Sequence, residues 1–223
     1  MSNASPLLLV SDLGHRFSNR GQEVRVFEKC SFEMAPTQFV AVQGASGSGK
    51  TTLLLACGGM LAPSYGEIRF QGSNLFSLPS SRRAKMRAVS IGYLFQTLEL
   101  VPYLDLTSNV KIATGVSDSV ANQWLGRLGL GDRCRSYPRE LSHGQRQRVA
   151  LARAIAHQPA LVIADEPTGN LDNRNSDLVF SVLREYAQDG GAVLMATHEI
   201  SPATFADLVI DIENLDLMKA KAR

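Results

Sequence analysis

The sequence predicts an α/β fold: a mostly parallel β-sheet covered by helices, a small antiparallel β subdomain toward the N-terminus, and an inserted helical subdomain at about residues 97–140. Three observations carry this. Short apolar runs recur at 39–42, 160–164 and 192–196. They are apolar on both faces, as parallel strands under helices must be. Helical patterns alternate with them. Residues 51–57 run up to Gly58-Gly59, 145–157 run up to Pro159, and 173–187 follow the N-cap candidate Asp172. Finally, Glu67-Ile68-Arg69-Phe70 alternates between Gly66 and Gly72, and Glu33-Met34-Ala35-Pro36-Thr37 reads as a turn between strands. That is the signature of strands with one wet face. Residues 6–223 are expected to form one domain, with 1–5 set apart as a disordered or extraneous N-terminus.

Composition narrows the function classes. Of 223 residues, 44% are hydrophobic and 20% charged, with a net charge of +2. This balance suits a globular chain and gives no general basic bias, so nucleic acid is not an expected partner. The cluster Arg82-Arg83-Ala84-Lys85-Met86-Arg87 reads as a solvated helix face, with a basic patch as the alternative. Cys30, Cys57 and Cys134 are far apart and show no zinc spacing. No apolar run approaches the roughly 18 residues of a membrane span. A membrane role would therefore need another chain.

Gly44-Ala45-Ser46-Gly47-Ser48-Gly49-Lys50-Thr51 fits G-x-x-x-x-G-K-[ST] after a strand and before a helix. Phosphate requires this arrangement. Glycines let the backbone turn its N–H groups inward, and the helix start adds its positive dipole end. Lys50 is expected to reach the β- and γ-phosphates, Thr51 to bind Mg²⁺, and Thr52 to reach the α-phosphate. The loop alone specifies a nucleoside triphosphate and a P-loop NTPase core. It does not separate a kinase from a GTPase or a motor. Downstream, Asp165 and Glu166 end an apolar strand. Asp165 is expected on Mg²⁺ and Glu166 on the attacking water. His198 closes the next strand and is the candidate γ-phosphate contact.

Leu141-Ser142-His143-Gly144-Gln145-Arg146-Gln147-Arg148 resembles the L-S-G-G-Q signature of ABC transporter nucleotide-binding subunits. The order of motifs resembles that family too: phosphate loop, Gln96, signature, acidic pair, Asn170-Leu171-Asp172, His198. The resemblance implies an ABC ATPase that dimerises around two ATP molecules with Mg²⁺. Gln96 resembles the glutamine that contacts Mg²⁺ and the water. Ser142, Gly144 and Gln145 resemble residues that clamp the γ-phosphate bound to the opposite subunit. Asp172 resembles the aspartate that crosses the dimer interface. Phe17 resembles the aromatic that stacks on adenine, a core aromatic being the alternative.

One position departs from the family pattern: 143 is His where Gly is usual. Activity is expected to survive, with a slower or pH-sensitive site. The block Ala164-Asp165-Glu166-Pro167-Thr168-Gly169-Asn170-Leu171-Asp172 resembles the LolD- and MacB-like subgroup, while Asp211-Ile212-Glu213-Asn214 lacks its usual D-G turn. The subgroup implies a separate integral membrane permease with few spans, met from the cytoplasmic face. Its work would be export, efflux or lipoprotein release. An FtsE-like conformational switch without transport is the alternative. Residues 98–106 are expected to line the groove for the permease.

Overall fold

The computed structural model describes residues 5–19, 22–113, 115–169, 171–198, 204–214 and 216–219, with only the backbone at 19, 22, 173, 174 and 216–219. In chain order the elements are β1 (Leu8–Asn19), β2 (Gln22–Met34), β3 (Phe39–Gln43), α1 (Lys50–Cys57), β4 (Tyr65–Phe70), β5 (Ser73–Asn74), α2 (Ser80–Ser90) and β6 (Ile91–Leu94). There follow α3 (Leu106–Lys111), α4 (Asp118–Arg127), α5 (His143–Ile155), β7 (Leu161–Asp165), α6 (Asn173–Gln188), β8 (Val193–Thr197), β9 (Leu208–Asp211) and β10 (Asp216–Lys219).

Two sheets result. One has the order β2-β1-β4-β5 and is antiparallel throughout. The other has the order β10-β9-β3-β8-β7-β6 and is parallel except for β10. This is the expected class.

The apolar runs pack as their period dictates. Phe39 and Ala41 of β3, Val162 and Ala164 of β7, and Val193 and Met195 of β8 share a core layer with Val149, Ala152, Val179 and Leu183 of α5 and α6. Their neighbours Val40, Val42, Leu161, Ile163, Leu194 and Ala196 face a second layer. There they meet Leu53 and Leu54 of α1 and Leu8, Phe32 and Phe70 of the antiparallel sheet. Successive strand residues point to opposite faces, so a strand covered on both sides needs an unbroken apolar run. Each buried Val, Leu or Ile there contributes about 1.5–3 kcal/mol.

The insertion is less helical than expected. α3 and α4 are helices, 131–133 and 138–140 are single 3₁₀ turns, and 97–105 is irregular. The reason is local. The Asp105 side chain accepts the Ser108 N–H and starts α3 there. The irregular stretch is held by two buried polar side chains. Asn109 Oδ1 accepts the Val101 N–H at 2.7 Å, and its Nδ2 donates to the carbonyls of Val101, Leu104 and Asp105. Arg153 of α5 donates to the carbonyls of Leu98 and Glu99 at 2.7 and 2.6 Å. Carbonyls inside a fold need such donors.

The helix expected at 145–157 spans 143–155 instead. Ser142 caps it: its Oγ accepts the Gln145 N–H at 3.2 Å, while Gln145 Oε1 accepts the Ser142 N–H at 2.9 Å. The basic cluster at 82–87 lies on α2, a helix with no buried residue. No helix among the described residues is long and apolar enough to cross a membrane.

Candidate functional site

β3 runs into the loop 44–49, and α1 begins at Lys50. Gly47 and Gly49 have φ of 83° and 97°. A Cβ at Gly49 would sit 2.5 Å from Val26 Cγ1, so glycine alone lets the chain turn into the helix there. The unpaired amides of the α1 N-terminus then face the loop. Lys50 is only 5% exposed. Its Nζ donates to the carbonyls of Gly44 at 2.8 Å and Ala45 at 2.9 Å, and lies 3.7 Å from Glu166 Oε1.

Thr51 Oγ1 donates to Asp165 Oδ2 at 2.8 Å. Asp165 is buried at the end of β7, and its Oδ1 has no hydrogen-bond partner. Burial pushes its carboxyl above the ordinary value; the Thr51 bond opposes this and the neighbouring Glu166 adds to it. Glu166 has a φ of 48°, uncommon for a residue other than glycine. Its N–H donates to the Ala196 carbonyl of β8 at 3.0 Å. Its Oε1 lies 3.3 Å from Nδ1 of the half-exposed His198. The acid is thus held between a buried cation and an imidazole.

Lys50, Thr51 and Glu166 line one cavity of about 420 Å³ with Phe17, Val26, Ser46, Gly47, Gly49, Thr52 and Gln96, while Asp165 and His198 are not among its lining residues. Phe17 is 46% exposed and lies edge-to-face with His15. It is a rim aromatic, not a core one. Gln96 is exposed at the end of β6. Gly44, Ala45 and Ser48 are not among the residues lining the cavity. Ala45 and Ser48 border a second, open hollow with Glu213.

The remaining expected residues lie elsewhere. Ser142, Gly144 and Gln145 open α5, and Asp172 caps α6 by accepting the Asn175 N–H at 2.8 Å. None of the four lines the cavity. They neighbour each other: a Cβ at Gly144 would lie 3.0 Å from Leu171 Cδ2. Asn170 lies outside the described residues. The buried Gln147 donates to the Pro167 carbonyl, tying α5 to the segment after the acidic pair. Sequence reading assigned no role to Gln147, Arg153 or Glu213. Glu213 accepts the Ala45 N–H at 2.7 Å across 168 residues of sequence, a pairing no local pattern announces.

The model of the ABC transporter family matches residues 27–169. An uncharacterised ABC transporter ATP-binding protein of Mycobacterium tuberculosis is 37% identical over 99% of this chain and 92% of its own length. The lipoprotein-releasing system ATP-binding protein LolD 1 of Rhodopirellula baltica is 40% identical over 88% of this chain and 90% of its own. The macrolide export ATP-binding/permease protein MacB of Hahella chejuensis is 37% identical over 96% of this chain, which spans only 34% of that protein. Among solved structures, the dimeric ATP-binding cassette MJ0796 in a post-hydrolysis state with ADP and Pi superposes with a TM-score of 0.89. It is 26% identical, over 97% of this chain and all of that one. The family model, the relatives matched over most of their own length and the shared fold agree, and the chain belongs to the ABC transporter family as an ATP-binding cassette.

Proposed function

We propose that this chain hydrolyses ATP with Mg²⁺ as one of two head-to-tail copies, and that the pair drives a separate integral membrane permease with few spans. Glu166 carries the reading. Its carboxylate is held between Lys50 and His198 at the cavity that the phosphate loop, Phe17 and Gln96 line. Thr51 and the unpartnered Oδ1 of Asp165 suit Mg²⁺, a hard cation that favours a few carboxylate and hydroxyl oxygens plus phosphate. Bound there, the ion neutralises charge on the phosphate oxygens.

The residues divide the remaining work. The Phe17 ring stacks on the base. Amides of 46–50 and the α1 N-terminus hold the phosphates. Lys50 moves from the Gly44 and Ala45 carbonyls to the phosphate oxygens. Glu166 orients the attacking water and takes its proton, with Gln96 alongside, while His198 meets the γ-phosphate. Ser142, Gly144 and Gln145, outside this cavity, serve the nucleotide of the other copy, where an exposed helix start favours an anion. The dimeric, ADP-and-Pi-bound MJ0796 cassette supports that pairing, and Asp172 beside Gly144 falls at the same interface.

A groove of about 390 Å³ near Gln96 suits the permease. Met60, Ala84, Arg87, Phe95, Glu99 and His157 line it. Of residues 98–106 only Glu99 does so; Leu98 and Leu100 turn inward onto the core. Docking there would hold the cassette on the cytoplasmic face of a membrane. The LolD 1 and MacB relatives favour export, efflux or lipoprotein release as the work done.

The test uses Glu166→Gln. It should bind Mg-ATP, hydrolyse it at least about a hundredfold more slowly, and run as a dimer with ATP in light scattering. From gently solubilised membranes it should capture a few-span membrane protein. A chain that stays monomeric at saturating Mg-ATP overturns the pairing, and an exclusively soluble partner overturns the permease.

A further inference from the structure

The Gly44–Ala45 peptide carries a charged group at each end. Its carbonyl accepts Lys50 Nζ at 2.8 Å, and its N–H donates to Glu213 Oε1 at 2.7 Å. An ammonium and a carboxylate thus polarise one peptide from opposite sides. Hydrogen bonds in such a chain strengthen one another, and those to ionised groups are about twice as strong as neutral ones.

Glu213 is not there by accident of a loose tail. Asp211 Oδ1 accepts the N–H groups of Glu213 at 2.9 Å and Asn214 at 3.3 Å, and its Oδ2 accepts Asn214 Nδ2 at 2.8 Å. These bonds hold the Asp211 carboxyl below its ordinary value. The turn is built onto the sheet as well. β9 pairs with β3 as far as Gln43↔Asp211, and the Ile212 N–H continues the ladder to the Gln43 carbonyl at 3.0 Å. The Ile212 side chain fills the space beside Gly44, where a Cβ would meet it at 2.7 Å. Residues 43–45 are therefore gripped from the C-terminal side in three successive contacts, the last of them charged.

We propose that Glu213 is a positioning residue for Lys50: through the Gly44–Ala45 peptide, its carboxylate sets how firmly the loop holds the lysine ammonium, and so how readily the ammonium passes to a bound phosphate. The inference rests on the nucleotide reading of the site. Lys50 has two places to go, the loop carbonyls or the ligand. A carboxylate behind the peptide makes the Gly44 carbonyl the better acceptor and shifts the balance toward the loop. Removing the charge releases Lys50 and tightens nucleotide binding.

The test compares Glu213→Gln, which keeps the acceptor oxygen and loses the charge, with Ala45→Pro, which keeps the charge and deletes the peptide N–H. Mg-ATP affinity is measured by calorimetry on the intact chain. Melting temperatures confirm folding, and Glu213→Asp is the conservative control with a shorter reach. Both principal variants should bind Mg-ATP about threefold to tenfold more tightly, and the double variant no more tightly than either single. In Glu213→Gln the Km for ATP should fall in parallel, with kcat changed by less than about twofold. Glu213→Asp should behave like Glu213→Gln, because its carboxylate cannot span the distance. Unchanged or weaker binding in Glu213→Gln overturns the proposal. A shift in Glu213→Gln without one in Ala45→Pro also overturns it, since the charge would then act through space alone. Wild-type chain that binds no Mg-ATP at all refutes the nucleotide reading beneath it, a result the relay variants cannot imitate.

Discussion

The phosphate-loop end of the sheet and the start of α5 treat their polar groups in opposite ways. At the loop, charges are collected and largely buried. Lys50 is 5% exposed, Asp165 is 7% exposed, and Glu166 lies between Lys50 and His198. One oxygen of Asp165 is left without a partner. At α5, Ser142 and His143 are exposed, and the polar groups satisfy each other locally through the Ser142–Gln145 cap. The difference is instructive. A buried charge cluster with an unpaired acceptor is costly in isolation and is relieved by a ligand that supplies cations and anions together. A capped, exposed helix start is stable alone and can wait for a surface brought by another molecule. On the proposed function, one end is a receptor within the chain and the other completes a site elsewhere.

The largest break in that comparison is Lys50→Ala. It strips the ammonium from between the Gly44 and Ala45 carbonyls and Glu166. Mg-ATP hydrolysis should fall at least about a hundredfold, with binding weakened at any protein concentration, as phosphate release and calorimetry would show. Ser142→Ala is next and separates the two ends. Losing the cap costs about 1 kcal/mol, which lowers the melting temperature by about 2–4 °C for a chain of this size. Hydrolysis should fall about tenfold or more, while Mg-ATP binding at protein concentrations too low for pairing stays unchanged. Weakened binding there would place α5 in the chain's own site and erase the distinction.

A smaller effect belongs to His143→Gly. The exposed imidazole at the α5 start should slow hydrolysis by crowding the partner's nucleotide, so the glycine variant should be up to about fivefold faster between pH 6 and 8. Equal rates would show that the side chain is clear of the interface. The smallest concerns a region remote from both ends. Asp207 accepts the Phe39 N–H and pairs with Arg184 at 2.8 Å. Burial alone would raise its carboxyl, but the Arg184 bond and the Phe39 amide outweigh it, and the group titrates below the ordinary 3.8. A depressed carboxyl gives stability that is present above the unfolded value and lost as the pH falls through the folded one. Asp207→Asn should therefore lower the melting temperature at pH 7, with the gap to wild type closing below about pH 4.

The strands that carry the loop, the acids and His198 were legible because each is a short apolar run ending at a polar motif. A buried parallel strand leaves no other trace in sequence. The fold class followed from those runs and the alternating 67–70 segment. The irregular 97–105 stretch was not legible. Its shape depends on Asn109 and Arg153 reaching backbone carbonyls, and nothing in the spacing of an Asn or Arg says that it points inward. The α5 start was misplaced by two residues although Ser142 and Gln145 spell a capping box, because the apolar pattern begins only later at Val149. Phe17 needed coordinates to be told from a core aromatic, since both readings share one local sequence. Glu213 had no signal at all.

The left-handed backbone at Glu166 has a consequence for how this cassette can be improved. That conformation costs a residue with a side chain on the order of 1 kcal/mol or more, while glycine or asparagine adopts it cheaply. If Glu166 has the proposed role, selection for heat resistance alone would thus drift toward those residues at 166 and return sturdier molecules that no longer turn over. Durability and catalysis pull in opposite directions at this one position, so any stabilising campaign has to hold it fixed and look to the sheet instead.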